Sequence, residues 1–323
     1  MSSNHPTVSI VVLNWNGKKF IDPFVESFKK LNYPSDKLEL IFTDNDSSDG
    51  SVEYIKKKYK SLKQLKVIQT GGNYGYAGGN NRGMKHATGD YVLVCNNDLI
   101  LDPKLVDELV KEAKSKSSAI TVPKLMFLNK PGYINNAGSM LEANNIWPVK
   151  ERGFDQKDSK EFEKTVEITA FCGACVLFER RFLEDVGLFD GKFFMYFEDG
   201  DLSWRGQKSG YKYYIAPKAL AFHEHTGTSK EGSPLFNYYV GRNRLLILMK
   251  NAKFRVVFKA WLVVLHNQLY VKVRKFLRSV IRKNNRKENG KDLLLGIKVV
   301  ASALLFAPYC YLKRWKLLPE EKL

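Results

Sequence analysis

Three carboxylates, Glu198, Asp199 and Asp201, stand directly behind an aromatic run that contains Phe194, Tyr196 and Phe197. Aromatic neighbours desolvate a carboxylate and raise its pKa toward the range useful for proton transfer. A solvated acidic turn is the alternative that these residues leave open. A second polar cluster, Asn96-Asn97-Asp98, closes the apolar stretch YVLVC. Hard divalent cations such as magnesium and manganese take oxygen ligands and leave positions for a substrate's phosphates, so Asp98 can supply one protein ligand. His223 and His225 fall within HEHTGTS. Imidazole suits manganese better than magnesium. Two residues apart on an extended strand they point opposite ways, so one of the pair is expected to serve. The stretch GGNYGYAGGNNRG, residues 71–83, holds six glycines. Glycines let backbone N–H groups approach a phosphate, and Arg82 adds charge. It is neither a Walker loop nor a GxGxxG turn after the first strand, and a surface loop is its plain alternative.

The elements that must position these groups alternate. Apolar runs at 8–13, 38–43, 65–69 and 91–95 read as strands, and amphipathic stretches at 18–31 and 51–59 as helices. A further helix is expected near 82–87, after the glycine-rich loop. Such alternation implies an α/β protein with a mostly parallel sheet flanked by helices. Ligands bind outside the carboxyl ends of such strands, where residues 14–17, 44–50 and 96–98 fall. Further on, 169–178 is strand-like, 180–186 is a short helix, and the acidic cluster opens a helix that Gly210 closes. Two short strands, 213–216 and 219–222, lead to His223. The four cysteines, Cys95, Cys172, Cys175 and Cys310, include one CxxC and no second pair that would complete a zinc site; they read as buried free thiols.

The net charge is +18, and residues 251–323 contribute 17 Lys+Arg against 4 Asp+Glu, or +13 of it. Basic surfaces attract polyanions, and the apolar runs at 260–271 and 299–312 favour a lipid surface over nucleic acid, because such runs are costly to expose on a soluble nucleic-acid binder. The run at 299–312 is short of the roughly 20 residues of a bilayer span, but counted from residue 293 through Lys298 it reaches 20; a span and an ordinary helical cap are the alternatives to a helix lying in the interface. No export signal is read at the start of the chain, so the cytosol is the expected compartment.

In their order along the chain, VSIVVLNWNG, DNDSSDG, NYGYAGGNNRG, the strand ending NND, GACVLFERR, FFMYFEDGDLSWR and HEHTGTS resemble glycosyltransferase family 2, in its rhamnosyltransferase-like branch. The resemblance runs from about residue 8 to residue 250. It implies a GT-A fold, with a GT-A domain over 1–250; the charge and apolar runs make 251–323 a basic, apolar helical, membrane-associating region. It also implies inverting transfer of a sugar, rhamnose or a related hexose, from a dTDP- or UDP-sugar. The acceptor would be a hydroxyl of a glycan or lipid-linked oligosaccharide in cell-surface polysaccharide assembly, at the cytoplasmic face of the membrane.

Residue by residue, Asp44 takes the nucleobase-contacting position with Asn14 beside it. Asp46, Asn73, Gly75, Asn81, Arg82 and Asn97 are expected to approach the donor. Asp98 matches the last acid of the metal-binding DxD, with Asn96 in place of the first, and His223 matches a second ligand to manganese or magnesium. Asp199 matches the general base, with Glu198 and Asp201 orienting it or binding acceptor hydroxyls. The competing reading is a sugar-phosphate nucleotidyltransferase. Such enzymes carry a glycine-rich loop with Arg and Lys near the N-terminus, where this chain has VLNWNG.

Overall fold

The computed structural model describes residues 5–224 and 232–323. Its first half follows the expected alternation: β1 (Val8–Asn14), α1 (Lys18–Phe28), β2 (Leu38–Asp44), α2 (Ser51–Lys58), β3 (Leu65–Gln69), α3 (Gly75–Met84) and β4 (Tyr91–Asn96). Strands β3-β2-β1-β4 pair in parallel, with Asn14 in register with Asp44 and Leu13 with Asn96. Both faces of β1 and β2 are covered, which is why they read as continuous apolar runs.

Helix α3 differs from the expectation. The chain is helical from Gly75 rather than from about residue 82, through a sequence with poor intrinsic helix propensity. Packing explains it. A Cβ at Gly79 would come within 2.6 Å of Leu13, and one at Gly83 within 2.3 Å of Thr43. These glycines let the helix lie close against β1 and β2, so much of the glycine content serves helix–sheet contact.

The chain continues through β5 (Leu99–Leu101), α4 (Leu105–Lys116), β6 (Ile120–Phe127), β7 (Ile134–Asn136), the hairpin β8 (Ser139–Leu141) and β9 (Val149–Glu151), β10 (Glu167–Ile168), β11 (Cys175–Glu179), α5 (Arg180–Val186), α6 (Glu198–Lys208) and β12 (Tyr213–His223). The sheet order is β10-β12-β6-β11-β4-β1-β2-β3, with β5 on β12 and β7 on β6. Beyond β4 the sheet is mixed: β11 runs antiparallel to β4 and β6, while β12 is parallel to β6. The two strands expected at 213–216 and 219–222 are one strand with a bulge between Ala216 and Leu220. Cys95 and Cys175 face each other across β4 and β11 with sulfurs 3.6 Å apart, too far for a disulfide; all four cysteines are free thiols.

The C-terminal helices are α7 (Pro234–Asn251), α8 (Phe254–Leu265), a π-turn (His266–Tyr270), α9 (Val271–Ile281) and α10 (Arg286–Arg314). Residues 245–249 of α7, LLILM, are wholly buried in a core with Phe193, Trp204, Val256, Val299 and Ala303. Helix α10 is, among the described residues, the one helix long and apolar enough to cross a membrane. One face of it is fixed on α7: Gly241 packs against Val299, and Tyr238 donates to Ser302 Oγ at 2.9 Å.

An ionic cluster ties these helices to α6. Lys250 Nζ lies 2.7 Å from Asp190 Oδ2 and 2.8 Å from Asp201 Oδ2, all three residues buried. Arg205 Nε is 3.0 Å from Asp201, and Tyr309 of α10 donates to Asp190 at 2.9 Å. Burial alone would raise the Asp201 pKa, but Lys250 and Arg205 outweigh it and hold it at about 2. A depressed carboxylate pKa adds stability above the ordinary value of 3.8, and that stability is lost as pH falls toward 2. Lys250→Met leaves two buried carboxylates without this cation. It should cost about 3–5 kcal/mol in urea unfolding at neutral pH. The deficit against the parent should narrow as pH drops below the ordinary carboxylate range; a deficit independent of acid would exclude this account.

Candidate active site

The carboxyl ends of the parallel strands are joined by a line of polar side chains. Asn14, buried at the end of β1, donates to Asp44 Oδ2 at 2.9 Å and accepts from Asn97 Nδ2 at 2.8 Å. Asp44 Oδ1 in turn accepts the N–H of Ser47 at 2.9 Å, which folds the DNDSSDG turn over the strand end. Gly17 closes on this line, since a Cβ there would meet Asn97 Nδ2 and Asn14 Oδ1. The three expected donor-site residues Asn14, Asp44 and Asn97 are therefore neighbours.

The line continues at Asp98. Its Oδ1 lies 3.1 Å from His223 Nε2 and makes no aligned hydrogen bond, although it is buried. His223 Nδ1 faces Asn135 Oδ1 at 3.0 Å. An amide oxygen there accepts a ring proton on Nδ1; Nε2 then donates to Asp98 when it too carries a proton, and offers it a lone pair when it does not. With Nε2 unprotonated, the imidazole nitrogen and the Asp98 carboxylate are a nitrogen and an oxygen donor close enough to share one divalent cation. Among the described residues no group of three or more His, Cys, Asp or Glu forms a metal cluster, so protein ligation here would leave positions for phosphate oxygens and water. His225 lies outside the described residues.

Residues 172–174 connect this strand end to the acidic helix. Ala174 O accepts the N–H of Asn96 at 2.9 Å, and the N–H of Gly173 donates to Asp199 Oδ2 at 3.1 Å. Tyr76, in the first turn of α3, donates to Gly173 O at 2.5 Å. Asp199 Oδ1 accepts from Gly200 N at 2.7 Å. Desolvation nonetheless outweighs these donors and raises the Asp199 pKa. Glu198 is buried, with Oε2 unpartnered, and burial together with the charge of Asp199 pushes its pKa well above the ordinary value. Both carboxyls are shifted up, Glu198 by burial and by the charge of Asp199, so of the two Glu198 is the one that holds a proton more readily and Asp199 is a carboxylate of raised basicity. Glu151 of β9 is exposed, yet desolvation and the charge of Asp199 push its carboxyl up, which puts it beside the same acidic centre.

The other expected site residues make these contacts. Asp201, fully buried, gives both oxygens to Lys250, Arg205 and Asn251 and is a structural anchor rather than a partner of Asp199. Asn81 donates to Phe189 O and Glu321 and accepts from Phe189 N, which makes it a tether between α3, the 189 loop and the C-terminus. Asn73 Oδ1 accepts from Asn45 Nδ2 and Gly75 N at 2.9 Å each, and so shapes the start of α3. Asp46 is exposed at φ 69°, and Arg82 stacks on the Tyr74 ring, 3.2 Å from its centroid. Gly75, at φ 69°, lies where a side chain would strike Phe194.

The residues that sequence reasoning missed lie on α7. Ahead of α6, Phe194, Tyr196 and Phe197 all adopt positive φ, 66°, 68° and 69°, a conformation costing about 1–3 kcal/mol each. Asn243 shares its two amide protons among the carbonyls of Phe193, Met195 and Tyr196 at 2.8–2.9 Å. Arg242 donates to Lys192 O and Phe193 O, and to Asn243 Oδ1. Phe194 stacks on Tyr239, and Tyr196 meets Phe236 edge-on. On the other side Phe194 O accepts the N–H of Ala77 in α3. The aromatic run is therefore a strained hinge, clamped by α7, that aims α6 and seats the start of α3.

Cavities of about 400 Å³ by Asp190 and Glu320, and about 970 Å³ between the β8–β9 turn and α8, lie away from the strand-end line.

The model of glycosyl transferase family 2 matches residues 9–187. Relatives include the low-salt glycan biosynthesis hexosyltransferase Agl10 of Haloferax volcanii, 24% identical over 62% of this chain and 62% of its own length. The N-acetylglucosaminyl-diphospho-decaprenol L-rhamnosyltransferase of Mycobacterium tuberculosis is 25% identical over 58% of this chain and 66% of its own. The chain spans less than two thirds of the length of these relatives. Among solved structures, the mannosyltransferase PcManGT of Pyrobaculum calidifontis, in complex with GDP-Man and Mn2+, superposes with a TM-score of 0.56 at 14% identity, over 95% of this chain and 88% of that one. TarS 1-349 of S. aureus with UDP-GlcNAc gives 0.56 at 16% identity, over 96% and 89%. These likenesses make the fold GT-A-like, with a helical C-terminal extension.

Asn243→Ala strands three carbonyls of the hinge. We expect a loss of about 2–3 kcal/mol in denaturant unfolding and faster hydrogen exchange at the Ala77 amide, whose acceptor is Phe194 O. Unchanged exchange at Ala77 would show that the clamp does not reach α3.

Proposed function

This chain belongs to glycosyltransferase family 2, and on that premise we propose that it is an inverting transferase. It moves rhamnose or a related hexose from a dTDP- or UDP-sugar to a hydroxyl of a glycan or lipid-linked acceptor in cell-surface polysaccharide assembly. In this reading residues 1–250 carry the chemistry, and residues 251–323 hold the enzyme at the cytoplasmic face of the membrane.

The observation that carries the reading is Asp199: a carboxylate of raised pKa, held by two backbone N–H groups, beside the buried Glu198 and tied through Gly173 to the strand ends. Its carboxylate takes the proton of the acceptor hydroxyl as that oxygen bonds to the anomeric carbon. The bond from that carbon to the diphosphate oxygen breaks, and the nucleoside diphosphate leaves. A single displacement inverts the anomeric centre. Glu198 keeps its proton and donates a hydrogen bond rather than competing for the acceptor's proton.

On the donor side Asp44, oriented by Asn14, accepts from the nucleobase. The N–H groups of Gly75 and Ala77 at the start of α3 are taken by Asn73 Oδ1 and Phe194 O, so that turn seats the helix rather than binding the diphosphate. Asp98 and His223 would hold a divalent cation, manganese or magnesium, which when bound neutralises charge on the leaving diphosphate. The named activities of the relatives, a hexosyltransferase and a rhamnosyltransferase, support the sugar class.

Asp199→Asn should lower the rate of transfer by about 10²–10⁴-fold while donor affinity stays within about twofold. An active Asn variant would remove Asp199 as the base. A raised base pKa also fixes the pH profile: the acid limb of kcat/KM should lie above the ordinary 3.8 of a carboxylate, with activity lost as pH falls through it. Glu198→Gln, which mimics the protonated acid, should leave that limb in place. Nucleoside diphosphate should be the released product; pyrophosphate release would instead mark a nucleotidyltransferase. In thermal-shift titrations with UDP, Asp98→Asn should abolish the additional shift given by manganese.

A further inference from the structure

Helix α8, the π-turn and α9 form one unbroken helix from Phe254 to Ile281. Its inner face, Val256, Val257, Ala260 and Val264, is buried against α7 and α10. The opposite face is apolar and open to solvent: Phe254, Phe258, Leu262 and Leu265 in α8, then Tyr270, Val273, Leu277, Val280 and Ile281. Phe258 is 65% exposed, Leu277 54% and Ile281 80%. At about 100° per residue the α9 stripe would lie roughly a quarter-turn round from that of α8. The wider π-turn at 266–270 rotates it back, so that both stripes share one face.

Charge completes the pattern. Residues 253–287 contain 11 Lys and Arg and no Asp or Glu. Arg255, Lys259, Arg274 and Arg278 are exposed along one border of the stripe. A continuous open apolar face of about 40 Å, from 28 residues at 1.5 Å each, is far beyond what a soluble surface leaves uncovered. With cations alone along its length, its complement is apolar and anionic at once, which describes the boundary of a phospholipid bilayer.

We propose that this helix lies in the plane of an anionic bilayer, its stripe sunk among the acyl chains, and that it is the membrane contact of the protein. The proposal rests on the membrane-surface reading above and makes it specific. It leaves α10 as a scaffold helix. To cross a bilayer α10 would have to abandon the Tyr238–Ser302 bond and the Tyr309–Asp190 bond that couple it to α7 and to the buried ionic cluster.

The test uses the full chain in sedimentation with vesicles of mixed phosphatidylglycerol and phosphatidylcholine, and of phosphatidylcholine alone. The parent should bind the mixed vesicles and bind phosphatidylcholine weakly. A Phe258→Asp, Leu277→Asp double variant should partition about tenfold or more weakly. Leu304→Asp with Leu305→Asp, on the exposed face of α10, should bind as the parent does. All four sites are exposed, and thermal unfolding without lipid checks that each variant folds. If the α10 variant loses binding and the stripe variant does not, the assignment to α8–α9 is overturned while membrane association stands. If the parent binds neither vesicle, both fall. If the parent is a dimer in light scattering that the stripe variant dissolves, the stripe is a contact between copies and the proposal is wrong.

Discussion

The amide of Asn243 is the contact on which the rest of the site depends. Three aromatic residues in the left-handed region would not hold that conformation unaided. Asn243 gathers the carbonyls of Phe193, Met195 and Tyr196, and the rings of Phe236 and Tyr239 grip the side chains. The strained run then delivers Glu198 and Asp199 in the first turn of α6, and Phe194 O receives Ala77 from α3. One side chain on α7 thereby sets both the acidic pair and the start of the helix nearest the donor side. Lys250, two turns further along α7, locks the far end of the arrangement through Asp190 and Asp201.

This dependence gives the C-terminal helices a structural part in the chemistry. Helix α7 is held by α10 on one side and by α8 on the other, and its LLILM segment is wholly buried between them. The helix that presents its apolar stripe outward, α8–α9, is thus one packing layer from the helix that clamps the hinge. The proposed lipid contact and the aiming of the carboxylate pair fall on adjoining elements.

The strand ends were legible in the sequence because apolar runs bounded by polar turns determine both strand and terminus: that pattern placed Asn14, Asp44, Asn97 and Asp98 at the strand ends, and the family resemblance gave them their roles. Helix α3 was not, since its glycines mask helical propensity and act through contact with Leu13 and Thr43, residues distant in sequence. Asp201 was misread beside Asp199, although the warning was local. On a helix Asp201 and Arg205 are four residues apart and pair, while Asp199 points elsewhere. Asn243 gave no local signal, because its partners are carbonyls about fifty residues away, and a backbone acceptor leaves no mark on side-chain identity.

The account's central claim is a single displacement driven by one carboxylate base. The anomeric configuration of the product, read by NMR from the one-bond C1–H1 coupling of the transferred sugar, tests it most directly. The account requires the configuration opposite to that of the donor. Retention would demand a second displacement or a covalent sugar intermediate, and would contradict the role given to Asp199.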